Sequence, residues 1–394
     1  MALKYLYVPS GYKGGSSSGT AYGVLPNVAN ADLAFVRGSA GTRINADGLI
    51  ESMVTNVPRL DYTDGSCPTL LTEPERTNLV VNSAGGYHPD TVPFTNTSAP
   101  DGTNTAQIPT PFSNFNRYEH IISAGSATGD TKLTYSWYRK RLSTPSIPTF
   151  TGDLKVLALV NCIQVGNTIQ IDSNVGGYDR FSATFDVIDG SLEAKIRLYY
   201  GELIGVGNSS IAYFGHQVEV GEHATSYIPT SGAIETRSAD TGIVTSDLSS
   251  YINSTEGVLE VKISRFEGIP STEQSWISLS ASETNDDNSV SIGFTGLNTT
   301  LAHFIKSSDV DVTTPTTSQV TEDLSQMNVI KLKWKDGDFQ AKIGNTTIDL
   351  SAGAGSLPFA STLKYLRIGY PNYSGGAFKG NIQYIKVYDS ATDF

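Results

Sequence analysis

The chain has 394 residues and a formal net charge of −12, with 17% charged residues against roughly a quarter in an average globular protein. At about 150 residues per domain this length predicts two or three domains, each able to bury a core. A 39% hydrophobic content with few charges excludes wholesale disorder, and a net charge of −12 without a basic stripe argues against a binder that tracks nucleic-acid phosphates.

Twenty Tyr, fifteen Phe and 38 Gly against three Met describe short aromatic strands joined by tight turns rather than packed helices. The expectation is an all-β chain, with a small N-terminal hairpin region followed by two β-sandwich (jelly-roll) domains. Residues 1–31 alternate over Leu3 to Val8 and then run into a Gly/Ser tract from Gly11 to Gly23. They read as a flexible attachment arm. Residues 32–78 contain Asp47-Gly48 and Asp64-Gly65 between short alternating runs. Asp-Gly in that setting is a hairpin signal, so this stretch is expected to be a β-hairpin linker or oligomerisation region.

Residues 79–240 carry longer strands. In Lys132 to Tyr138, period-two alternation puts Leu133, Tyr135 and Trp137 on one face. Residues 249–394 show strands at short intervals, among them Gly257 to Ile263, Ser289 to Phe294, Val329 to Trp334 and Gly380 to Tyr388, with turns at Asp336-Gly337 and Gly344-Asn345. Both stretches read as sandwiches. Trp137, Trp276 and Trp334 lie in strands and are expected to anchor cores. No signal-peptide pattern opens the chain and no 18-residue apolar run occurs, which predicts a soluble product made in the cytosol, without membrane insertion. Cys67 and Cys162 lie in different expected domains and read as two inert buried thiols. Sequons at Asn96, Asn208, Asn253, Asn298, Asn345 and Asn372 follow from an Asn/Ser/Thr-rich surface.

Three segments carry a family resemblance. Phe35-Val36-Arg37 through Glu51, Val57-Pro58-Arg59-Leu60-Asp61-Tyr62 and Leu70-Leu71-Thr72-Glu73-Pro74-Glu75-Arg76-Thr77-Asn78 together resemble the linker motif of bacteriophage virion fibre and tail proteins. Phe214-Gly215-His216-Gln217-Val218-Glu219-Val220-Gly221-Glu222, Thr225 to Gly232 and Thr236-Arg237-Ser238-Ala239-Asp240 resemble the closing segment of the carbohydrate-binding-module-like jelly roll that follows it. Residues 257–388 are similar to the concanavalin A-like (laminin-G-like) domains of the same proteins. The resemblance implies a non-enzymatic virion structural protein, a fibre or decoration protein exposed on the particle. Its N-terminus would anchor it to other phage virion proteins, and its sandwiches would project toward host-surface glycan. It also implies a homo-oligomer, commonly a trimer. A purely structural cement protein of capsid, collar or tail is the alternative, and a polysaccharide depolymerase a further one.

Sugar sites of this kind stack pyranose faces on exposed aromatic rings, with Asn, Asp and Gln bonding the hydroxyls. The loop tyrosines Tyr87, Tyr118, Tyr178, Tyr370 and Tyr373 are therefore the glycan-binding candidates. Glu283 to Asn288 concentrates oxygen ligands, which makes Asp286 and Asp287 calcium candidates, although the spacing is not that of an EF-hand. No other cofactor is expected. Glycosidases place two carboxylates across the scissile bond, whereas Glu219 and Glu222 flank a glycine and Asp186 and Asp189 precede the Gly190 turn, so both pairs read as turn chemistry. The histidines have no metal-ligand spacing, and no nucleophile elbow or P-loop is present. No catalytic residue is assigned.

Overall fold

The computed structural model describes the chain except residues 1, 15–18, 26–31, 64, 86–93, 110–116, 127–131, 143–155, 200–210, 245–246, 267–273, 296–298, 314–316, 352–356, 358, 360, 370–377 and 393. The described residues form strands, turns and irregular segments and no helix, and the fold is an all-β sandwich architecture. The chain divides into two compact units. The first comprises residues 1–40, 53–75 and 238–394, and the second residues 41–52 and 76–237.

In the first unit seventeen strands join one hydrogen-bonded system. One layer runs through Thr346–Asp349, Gln340–Ile343, Asn328–Lys335, Glu256–Arg265 and Gly380–Tyr388. The other runs through Thr300–Ser307, Ser289–Thr295, Gln274–Ser280, Tyr365–Ile368, Thr241–Ile243 and Leu33–Val36. Alternation places Val261, Ile263, Ile330, Leu332, Ile277, Leu279, Val290 and Ile292 in one buried cluster. Trp276 and Trp334 are buried as the sequence predicts. Gly293 sits under the Trp276 ring, where a Cβ would come within 2.6 Å of the ring and 2.0 Å of the Ser275 carbonyl oxygen. No other residue fits there.

The N-terminal segment departs from expectation. Leu3–Gly14 is a strand whose first part pairs with Tyr388 to Ile385, and whose later part forms a hairpin with Gly19–Leu25. That hairpin pairs onward with Leu33–Val36, so the segment links the two layers. Tyr5 and Tyr7 are fully buried in the core, which corrects the reading of residues 3–8 as part of a flexible arm. Their alternation was a core-strand signal.

The region 32–78 is likewise not a separate hairpin module. Leu33–Val36, Arg59–Asp61 and Thr69–Thr72 belong to the first unit's sheet, while 41–52 and 76–78 belong to the second unit. The Asp47-Gly48 turn forms as expected: the Gly48 amide donates to the Asn45 carbonyl at 2.9 Å, with Gly48 at φ +75°. Gly337 and Gly344 also occupy left-handed positions in their hairpins.

In the second unit a six-stranded antiparallel sheet has the order Cys162–Val175, Tyr178–Val187, Lys132–Arg141, Ile211–Val220, Ala106–Pro109, Phe94–Thr97. A three-stranded sheet has the order Arg117–Ile122, Ala194–Tyr199, Val156–Val160. Leu133, Tyr135, Trp137, Phe185 and Val218 from the first meet Tyr118, Ile122, Ile196 and Leu198 from the second in one cluster. The face assigned to Leu133, Tyr135 and Trp137 is buried, and so is the opposite face with Thr134 and Ser136, which the alternation alone would have left to solvent. Cys162 is buried, but Cys67 is exposed, contrary to its reading as a core thiol.

Candidate functional site

The segments that carry the resemblance meet in the interiors of the units. In the first unit, Arg59 lies between two carboxylates, its Nη1 2.6 Å from Glu73 Oε2 and its Nη2 bonded to Asp240. Arg37 Nη1 donates to the other oxygen of Asp240 at 3.2 Å and to the Val57 carbonyl at 3.0 Å. The Glu73 amide donates to Asp240 and the Asp240 amide to the Glu73 carbonyl. All four side chains are buried and their formal charges cancel. Burial alone would pull the Arg59 guanidinium down, but Asp240 and Glu73 outweigh it and raise it above the usual arginine value.

In the second unit the closing motif does comparable work. Gln217 Nε2 donates to Glu219 at 2.7 Å, the Thr225 amide donates to Glu219 at 3.0 Å, and Gln217 accepts the Ile228 amide at 2.6 Å. Arg237 donates to Thr225 Oγ1 and Ser226 Oγ, each at 3.1 Å, and Arg180 to the Thr225 carbonyl at 2.7 Å. These contacts pin the 225–237 segment to the sheet. Glu219 is thus a buried structural acceptor, Asp189 caps the Ser191 turn, and Asp186 pairs with Lys132 at 2.9 Å.

Two of the five glycan candidates lie inside the protein. Tyr118 is a strand residue, 1% exposed, with its ring 5.5 Å from that of Tyr213 and 4.3 Å from that of His216. Tyr178 is fully buried and donates to the Ser98 carbonyl at 2.6 Å. Its position between Gly177 and a long strand directs the ring inward, so both are corrected from platforms to core. Tyr87, Tyr370 and Tyr373 lie outside the described residues.

Beside Tyr118 is a buried polar cluster. The Tyr135 hydroxyl is 3.1 Å from His120 Nε2 and 2.7 Å from His216 Nδ1. A hydroxyl has one proton to give, so one of the two rings must present N–H to it. Desolvation pulls His120 down to about 3 and holds His216 well below its ordinary value, with the charge of His120 adding to the effect there. Both rings are neutral near pH 7. The cluster is fully enclosed and serves the core.

Asp286, Asp287 and Asp309 can bring carboxylate oxygens within 4.8 Å of one another. The Lys306 ammonium already stands among them, 2.6 Å from Asp286 and 3.7 Å from Asp309. Burial pulls Lys306 down, but the hydrogen bond to Asp286 and the charges of Asp286, Asp311 and Asp309 outweigh it, and the net shift is upward. Part of the oxygen-rich loop therefore holds the protein's own cation.

The described ring that meets the requirement for a sugar platform is Phe94, half exposed on the edge strand Phe94–Thr97. Phe94 and Asn96 project to the same side by strand alternation, and Asn96 pairs across to Gln107. An aromatic face beside two amide side chains can stack on an apolar pyranose face and bond its hydroxyls. A Phe within Pro93-Phe94-Thr95-Asn96-Thr97 was the available signal, since a lone aromatic in a Thr/Asn strand has no alternating partners with which to build a core. In the first unit, an open depression of about 450 Å³ is lined by Ser249, Ser250, Tyr251, Asn253 and Thr362 with the Lys4–Asp389 ion pair. Its side chains offer hydroxyl and amide groups to a polar ligand.

No protein-family model and no curated protein matches the chain. Among solved structures it is similar to the carbohydrate-binding module (CBM40) of a Ruminococcus gnavus IT-sialidase bound to α2,3-sialyllactose, at 16% identity, over 38% of this chain and 88% of that one, with a TM-score of 0.28. It is also similar to domains LG4–5 of the mouse laminin α1 chain, at 10% identity, over 76% of this chain and 93% of that one, with a TM-score of 0.27.

Proposed function

We propose that the chain is a non-enzymatic glycan-binding adhesion protein, of the kind that phage particles display as fibres or decoration. The observation that carries the reading is the half-exposed Phe94 ring sharing a strand face with Asn96, which in turn lies opposite Gln107. The motif residues that resemble fibre proteins hold the units together internally, which leaves the neutral Thr/Asn-rich surface for recognition. Glu219, Asp186 and Asp189 each have a structural partner, which favours binding over hydrolysis.

A glycan array tests the reading. The wild-type chain is expected to give selective hits and Phe94→Ala to lose them, with a melting temperature unchanged within about 1 °C because the ring is already half in water. An array with no hits favours the cement role, and hits retained by Phe94→Ala place the platform elsewhere.

A further inference from the structure

One edge of the second unit's six-stranded sheet is the fourteen-residue strand Cys162–Val175. It is hydrogen-bonded along one side to Tyr178–Val187, and among the described residues no strand pairs with the other side. Exposed edges offer rows of free N–H and C=O groups, and proteins blunt them with Lys, Pro or short length. This strand is long, contains no Lys, Arg, Glu or Pro, and carries only the charge of Asp172.

Three of its apolar side chains face outward, while Cys162 and Val175 at its ends are buried. Ile163, Val165 and Ile169 are 60%, 39% and 46% exposed, and the register sets them beside Asp186, Thr184 and Ser182 rather than the core-facing Phe185 and Ala183. The widest of three register shifts, between Val165 and Ile169, falls around Gly166, at φ +69°, and divides the strand into two arms; the other two, between Gln170 and Asp172 and between Asp172 and Val175, lie toward its C-terminal end.

The two arms match each other. Residues 163–171 read Ile-Gln-Val-Gly-Asn-Thr-Ile-Gln-Ile, which is nearly the same sequence backwards. Laid antiparallel against an identical strand about Asn167, Ile163 meets Ile171, Gln164 meets Gln170 and Val165 meets Ile169. The centre of this near-palindrome coincides with the bulge. A self-complementary contact is what a two-fold dimer requires. Charge favours the same spot, because two copies each carrying −12 repel elsewhere while these nine residues carry none. The area suffices too: pairing about Asn167 sets Cys162 against Asp172, and these eleven residues at about 3.4 Å each extend about 37 Å. A contact that long needs a width of about 21 Å to bury the ~800 Å² per partner of a standard stable interface.

We propose that two copies of this chain pair antiparallel along residues 162–172, joining their six-stranded sheets into one of twelve strands. The Phe94–Thr97 strand is the opposite edge of the same sheet. The pair therefore carries one Phe94 face at each end, about 50 Å apart along the sheet at ~4.8 Å per strand. Such spacing lets one dimer engage two sites on a surface. A two-fold pair stands in place of the trimer that the fibre resemblance implies.

Sedimentation equilibrium of the full chain tests this without any glycan. The expected mass is about 84 kDa, twice 42.1 kDa, and the exposed double variant Val165→Lys/Ile169→Lys is expected to run as a monomer. A wild-type monomer or trimer, or a double variant that stays dimeric, overturns the proposal. Should the double variant not fold, Asn167→Cys in a Cys67→Ser background gives a second reading. On the two-fold axis Asn167 opposes itself at a Cα separation of about 4.5–5.5 Å, within disulfide range. Oxidation is expected to link Asn167→Cys into dimers but not Asn174→Cys, and equal linkage of both would equally overturn it.

Discussion

The two units bury polar groups by different means. The first gathers opposite formal charges in one place, with Arg37 and Arg59 against Glu73 and Asp240. The second adds neutral titratable rings, His120, Tyr135 and His216, at the centre of its aromatic cluster. A paired ion cluster keeps its charge state across the neutral range but tolerates no missing member. A buried neutral histidine tolerates neighbours of many kinds, yet must resist a proton that water offers freely below its ordinary value. The comparison predicts that the first unit is sensitive to truncation and the second to acid.

The largest expected effect of a single substitution is that of Arg59→Ala. It leaves two buried carboxylates with the single guanidinium of Arg37, which bonds Asp240, and breaking a buried pair in this way costs about 3–5 kcal/mol. Urea unfolding followed by hydrogen exchange is expected to show that loss in segments of the first unit. A loss below about 1 kcal/mol would mean that water reaches the cluster and the comparison fails. Next is acid. Unfolded histidine takes up a proton near pH 6.5, whereas His120 in the folded unit does so only near 3. Stability therefore falls as pH drops below about 6.5 and stops falling near 3, by about 1.4 kcal/mol per pH unit for each such histidine. Of the histidines that burial holds low, His120 and His216 lie in the second unit. The first has His303, 3.0 Å from Ser318 Oγ and pulled down by burial to about 4. Between pH 6.5 and 5, exchange protection in the second unit is expected to fall about twice as steeply, and His120→Phe to reduce that slope toward the first unit's. Equal slopes would remove the distinction.

The repeating pattern of strands was legible because alternation reports which face is buried. Leu133, Tyr135 and Trp137, and the Asp-Gly and Gly-Asn turns, follow from local chemistry that the structure keeps. Partnership over long separations was not legible. Arg37 meets Asp240 across 203 positions, and nothing near either residue names the other. The same limit hid the role of Leu3 to Tyr7, which alternate like any strand but whose place between two layers depends on a partner at residues 385–388. For the candidate site, a tyrosine beside glycines signals a turn, but not the direction of its ring. Tyr118 and Tyr178 point inward, where hydroxyl and ring contacts reward them, and Phe94 lacks such a place.

The smallest expected effect concerns the acidic loop of the first unit, where the contrast can be turned on itself. Asp286 is buried and accepts from Lys306 at 2.6 Å, while Asp287 is half-buried and Asp309 exposed. If the lysine serves there as the resident cation, calcium or a chelator is expected to move the melting temperature by less than about 1 °C, since an arriving divalent ion would have to displace an ammonium already paired. Lys306→Gln keeps a hydrogen-bond donor but removes the charge, and is expected to cost about 1–2 kcal/mol. It also leaves the acids with an uncompensated negative charge. Calcium is therefore expected to stabilise the Lys306→Gln variant more than the wild type, and calorimetry with and without the ion reads both. A wild type that calcium stabilises by several degrees would show instead that the lysine yields its place. The loop would then be an ion site, and the first unit would share with the second a dependence on solution conditions that its other ion cluster lacks.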